Sequence, residues 1–207
     1  MGDFGHIREI PKYGLDLPSF YRDGLARVRN QTSAVLTTVI IRELKKAQIK
    51  VVAALPDIVT SDGLLWPISR DPDFQLIRIC KEDEGVSICA ALSYTDNRAL
   101  LLMQQTGLLD SLNSIRASAI EYQQPVCMMV GLQGKDPAEK LSDTVKYGVR
   151  IIKPILQLMG LKTVVIESEA DVFKIASSVS HAYEFEQPVC FLLGSSPSVG
   201  GAKYDKT

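Results

Sequence analysis

Gln124-Pro-Val-Cys-Met-Met-Val130 and its echo, Gln187-Pro-Val-Cys-Phe-Leu-Leu193, carry the reading that decides the fold. Both are apolar at every position after the proline, where a half-exposed strand would alternate. Such runs mark strands buried on both faces, the condition of parallel sheets. We read the two segments as equivalent parallel strands, each with Pro at its first position, where a missing N–H is tolerated.

Working outward, the same kind of run recurs at Lys50–Leu55, Gln75–Cys80, Ala99–Met103 and Thr163–Ile166. Stretches of helical spacing separate them. They run over Thr32–Ala47, near Asp62, from Lys81 to about Tyr94, from Gln104 through Ala119, from Ala138 to Met159 and from Glu169 to Tyr183. Pro154 should kink or split the fifth, and Gly160 should cap it. This alternation predicts an α/β fold: a doubly wound, mainly parallel six-stranded sheet with helices on both faces. It also predicts three parts: an N-terminal arm over 1–31, an α/β domain over 32–194 and a flexible tail over 195–207.

The composition narrows the function. The 207 residues are 46% hydrophobic and 23% charged, with a net charge of −1. That balance argues against a nucleic-acid or anionic-membrane surface. The cluster Arg22, Arg27 and Arg29 has Asp16 and Asp23 beside it and reads as a solvated arm. No run approaches the ~20 apolar residues of a spanning helix, and Met1–Asn30 lacks a signal-peptide pattern. The chain reads as soluble and cytoplasmic. Cys80, Cys89, Cys127 and Cys190 sit in apolar runs without a CxxC pair, so buried reduced thiols are expected and a zinc site is not. No GxGxxG, Walker-type or GxSxG motif occurs.

Ligands of open α/β sheets gather outside the carboxyl ends of the strands. Three such ends are polar here: Pro56-Asp57, Lys81–Glu84 and Gln104–Gly107. Acids at a helix start are favoured by its dipole whatever else they do, and a Pro-Asp turn by itself means only a turn. Gln104–Gly107 likewise serves as a plain helix start with Thr106 as its cap.

The order Glu82-Asp-Glu-Gly-Val86, Ala90-Ala91, Leu101-Leu-Met-Gln-Gln-Thr-Gly-Leu108, Asp110-Ser-Leu-Asn113, Gln124-Pro-Val126 and Val130-Gly131 resembles one family. It is the alpha subunit, or pyrimidine-binding domain, of the sulfopyruvate and phosphonopyruvate decarboxylases, thiamine-diphosphate enzymes. The resemblance covers roughly Thr32–Leu193. It implies the thiamine-diphosphate pyrimidine-binding fold and decarboxylation of a small 2-oxo acid. It gives Glu84 the catalytic role of hydrogen-bonding the cofactor's aminopyrimidine at N1′, on the match to the family's Glu-Gly order. Glu82 and Asp83 are then solvated helix-start acids. Gly85 and Ser87 would let a flat pyrimidine approach.

The resemblance further makes Gln104, Gln105, Thr106 and Gly107 cofactor contacts, and Pro56, Asp57 and Gln133 substrate contacts. No metal ligand is expected. The family's Gly-Asp-Gly motif for diphosphate and Mg²⁺ does not occur in these residues. A beta subunit carrying it is therefore implied, in an α/β hetero-oligomer with room for self-association. Departures stand at Gln105, Thr106, Leu109 and Asp110, and Leu132-Gln133-Gly134 replaces the family's Trp-Arg-Gly, which weakens an anionic sulfonate or phosphonate substrate. Carboligation with the same cofactor, and a non-catalytic interaction module, are the competing readings.

Overall fold

The computed structural model describes residues 37–136 and 139–197. The expected arm over 1–31 and most of the tail over 195–207 lie outside them. Six strands form one sheet: β1 (Val51–Ala54), β2 (Gln75–Arg78), β3 (Ala99–Gln104), β4 (Cys127–Gly131), β5 (Lys162–Ile166) and β6 (Val189–Leu193). Every pairing is parallel and the order is β2-β1-β3-β4-β6-β5.

The strands alternate their side chains between two cores, so neither face is wet. Val52, Ala54, Leu100, Leu102, Met129 and Phe191 point to one face. Ala53, Leu101, Met103, Met128, Val130 and Leu192 point to the other. The first face is covered by α1 (37–46), by Ser61–Leu65 with α2 (Trp66–Arg70), and by α8 and α9 (Glu169–Val172 and Lys174–Glu184). The second carries α3 (Glu82–Ser93), α4 (Gln105–Asp110), α5 (Leu112–Ser114) with its continuation Ile115–Glu121, and α6 and α7 (Tyr147–Arg150 and Ile152–Leu158). The connections from β1 to β2 and from β5 to β6 step one way across the sheet, over the first face. The other three step the opposite way, over the second. One crossover hand produces this pattern, and it winds the sheet doubly.

Helix ends repeat a single device. Gln48, Asp96, Gln123, Gly160 and Glu186 have left-handed backbones, with φ of 62°, 56°, 51°, 71° and 52°. The N–H of the residue after each reaches the carbonyl five positions back: Ile49 to Leu44, Asn97 to Leu92, Gln124 to Ala119, Leu161 to Leu156 and Gln187 to Ala182. These are Schellman closures, and proline commonly follows them. The repeated Gln-Pro-Val-Cys wording therefore belongs to the helix stop. The strands begin later, at Cys127 and Val189, and these two residues pair with each other. Cys127 and Cys190 consequently face opposite cores.

Three expectations need correction. The helix expected from Ala138 begins at Tyr147 and breaks at Ile151, so Pro154 stands in the first turn of α7, where its missing N–H costs nothing. Cys80 is exposed while Cys89, Cys127 and Cys190 are buried, because the edge strand β2 has ended two residues before it. Gly85 faces inward: a Cβ there would lie 2.5 Å from Leu101 Cδ1 and 2.7 Å from Ile79 Cδ1, so its smallness serves helix–sheet packing. Among the described residues no helix is long and apolar enough to cross a membrane.

Candidate active site at the strand ends

Because all six strands run parallel, their carboxyl ends share one edge, and the direction of winding reverses between β1 and β3. A crevice opens at such a reversal. Three polar turns border it, following β1, β2 and β3.

The turn after β1 is closed on itself. Asp57 Oδ1 accepts the N–H groups of Val59 and Thr60, both at 2.6 Å. Its Oδ2 accepts the Thr60 hydroxyl at 2.6 Å, and its own N–H donates to Ser61 Oγ at 2.8 Å. Both carboxylate oxygens are thus occupied in shaping the loop. Val59 and Thr60 pack on Gly131 at the end of β4, where a Cβ would stand 2.5 Å from Val59 Cγ1. Pro56 is exposed.

The turn after β2 carries Glu82, Asp83 and Glu84 at the first three positions of α3, behind Lys81 at the cap. The third helical position is the one whose side chain reaches back over the helix start. Glu84 does this: its Oε2 accepts the Cys80 N–H at 3.0 Å, and the residue is exposed. Asp83 bonds locally, accepting the Glu84 N–H at 2.9 Å and standing 3.5 Å from Lys81 Nζ. Glu82, two positions earlier, lies roughly 200° around the helix from Glu84. It turns toward the start of α4 and lies on Gly107, where a Cβ would sit 2.0 Å from its Oε1 and 2.4 Å from its Cγ. Glu82 is half-buried and, among the described residues, its carboxylate accepts no hydrogen bond and pairs with no cation. Only a glycine at 107 leaves room for it there.

The turn after β3 starts α4 directly, with Gln104 rather than Thr106 at the cap position. Thr106 is exposed, and its hydroxyl accepts Gln104 Nε2 at 2.7 Å. The other end of that carboxamide, Gln104 Oε1, is buried without a donor, an unusual state for a buried acceptor. Gln105 is buried, and its side chain bridges to the loop after β4. Its Oε1 accepts the Gln133 N–H at 2.6 Å, and its Nε2 donates to the Gln133 carbonyl at 3.1 Å.

Beyond Gln133 the rim is tied again. Lys135, with its side chain 1% exposed, sits 3.4 Å from Glu167 Oε1 after β5. It also donates to the carbonyl of Asp136 at 3.2 Å and to that of Glu139. The sequence reading missed this tether. A lone Lys beside an Asp-Pro loop carries no signal of burial.

Of the residues singled out from the sequence, Gln105 is bonded to Gln133 and Gln104 to Thr106, and Gly107 meets Glu82. Asp57 uses both carboxylate oxygens within its own loop, and Glu84 uses one, Oε2, on the Cys80 N–H. Among the described residues no group of His, Cys, Asp and Glu is placed to hold a metal ion.

No family model matches the chain. Sulfopyruvate decarboxylase subunit alpha of Methanococcus maripaludis is 27% identical over 127 residues, 61% of this chain and 75% of that protein. The subunit of the same name from Methanocaldococcus jannaschii is 25% identical over 74% of this chain and 89% of its own length. Sulfopyruvate decarboxylase of Methanosarcina acetivorans is 25% identical over 72% of this chain, which spans 37% of that longer protein. A solved structure of 2-oxoglutarate:ferredoxin oxidoreductase from Magnetococcus marinus superposes with a TM-score of 0.62 at 13% identity. It covers 79% of this chain and 29% of its own, and it bears on the fold alone. With the parallel sheet in place, these relatives carry the resemblance read from the sequence: the chain is a distant relative of the sulfopyruvate decarboxylase alpha subunits.

Proposed function

We propose that this chain is the pyrimidine-binding subunit of a thiamine-diphosphate-dependent decarboxylase acting on a small 2-oxo acid. One observation supports the reading above the others. Glu82 holds a carboxylate with no described partner against Gly107, near the reversal point of the sheet. An acceptor without a donor suits a flat heterocycle that brings N–H groups, as an aminopyrimidine does. Bound there, the cofactor would supply the electron sink that decarboxylation of a 2-oxo acid requires.

We assign Glu82 the role that the resemblance gave to Glu84. Its position lets it share a proton with a ring nitrogen. Gly107 keeps the carboxylate's place open. Gln104 orients the ligand by accepting from it, and the Thr106 hydroxyl fixes the Gln104 carboxamide. The diphosphate and Mg²⁺ are held by a beta subunit, a reading in keeping with the subunit names of the relatives and with the missing Gly-Asp-Gly. The enzyme is a cytoplasmic hetero-oligomer.

Reconstitution tests this. The chain, a co-purified Gly-Asp-Gly-bearing partner, thiamine diphosphate and Mg²⁺ should release carbon dioxide from at least one of pyruvate, sulfopyruvate and phosphonopyruvate. A complex that forms but consumes none of them would leave the chain an interaction module.

A further inference from the structure

We infer that Gln105 is a positioning residue, one that makes the loop after β4 a fixed wall of the site instead of a lid. The inference rests on the reading of the site given above. A chain leaving a strand normally loses its ladder bonds and gives its N–H and C=O groups to water. Here the backbone ladder between β3 and β4 ends at the pair Gln104–Gly131. Two residues later the Gln105 carboxamide replaces it, offering one acceptor and one donor to the N–H and the C=O of the same residue, Gln133.

A carboxamide is the side chain able to satisfy both at once. Because Gln105 is only 5% exposed, water is poorly placed to substitute. Leu132 N–H bonds to Leu193 O on the β6 side at 3.3 Å, and Lys135 is anchored on Glu167. Residues 132–135 are thus held on both flanks.

The consequence concerns substrate. With the heterocycle against Glu82 and Gly107, the loop after β4 is one bridge away, because Gln105 stands two residues before Gly107 on α4 and holds Gln133. No hydrogen bond is made by the Gln133 side chain to any described residue. Gln105 sets where Gln133 stands without touching substrate itself.

Gln105→Met keeps length and removes both bonds. In the reconstituted complex, we expect hydrogen exchange at the Gln133 amide to rise at least tenfold. KM for the 2-oxo acid should rise about tenfold, while thiamine-diphosphate affinity stays within about twofold; small misplacements of this kind can cost up to a hundredfold. Gln105→Asn, which keeps a carboxamide but shortens its reach by one methylene, should fall between wild type and Met, and it stands in for Met should that variant fail to fold. A loosened Gln133 amide with unchanged KM overturns the proposal. So does cofactor affinity falling in step with KM, since Gln105 would then be a cofactor contact. A wild-type complex that consumes no 2-oxo acid refutes the underlying reading instead, and is seen before any variant is compared.

Discussion

The turns after β1 and β2 look alike in sequence, each a short acidic stretch at a strand end, and they fold to opposite purposes. Asp57 has a donor on both carboxylate oxygens, whereas Glu82 has none among the described residues. The first carboxylate builds its loop. The second lies against Gly107 with no described partner, and our proposed function rests on that difference.

The contrast can be broken by experiment. Gly107→Ala puts a methyl group where Glu82 Oε1 now lies. Turnover should fall about a hundredfold, while the melting temperature hardly moves, because a flexible side chain can swing away. Unchanged turnover would mean that the Glu82 position is irrelevant.

Asp57→Ala should do the reverse. Losing a capping carboxylate costs about 1–2 kcal/mol, roughly 2–8 °C in a domain of this size. Turnover per folded molecule should stay within a few-fold. A large loss of turnover without a fall in melting temperature would return Asp57 to the substrate site.

Asp171→Asn samples a third carboxylate of the structural kind. Burial pushes Asp171 up, but hydrogen bonds from Lys174, Ser168 and the Glu167 N–H outweigh it and hold the group at about 2. A carboxyl depressed in the fold stabilises it above the unfolded pKa of about 4, and that contribution fades as pH falls toward 2. Wild type should therefore lose this increment on acidification below about pH 4, and the Asn variant should not. Equal acid sensitivity of the two melting curves would contradict the pairing.

Much of this fold was legible in the sequence, because buried parallel strands leave continuous apolar runs and their helices keep a 3.6-residue period. All six strands lie where those runs stand. What misled were residues whose meaning depends on facing. Cys80 sits in an apolar run yet lies past the end of an edge strand. Gly85 suggested ligand room but serves Leu101 and Ile79. The three acids of α3 differ by helix geometry: the third position reaches back to cap, and the first, about 200° away, faces elsewhere. The matched Glu-Gly order points to Glu84, and our proposal moves the role to Glu82 on that geometry. The Gln105–Gln133 bridge spans 28 positions, and no local pattern announces it.

The most direct test sets two neighbouring substitutions side by side in the reconstituted complex, measuring carbon dioxide release under saturating thiamine diphosphate. Glu82→Gln should cut kcat by about 10²–10⁴, and Glu84→Gln should leave it within about threefold while lowering the melting temperature slightly. The opposite ranking, with Glu84→Gln dead and Glu82→Gln active, would contradict the account.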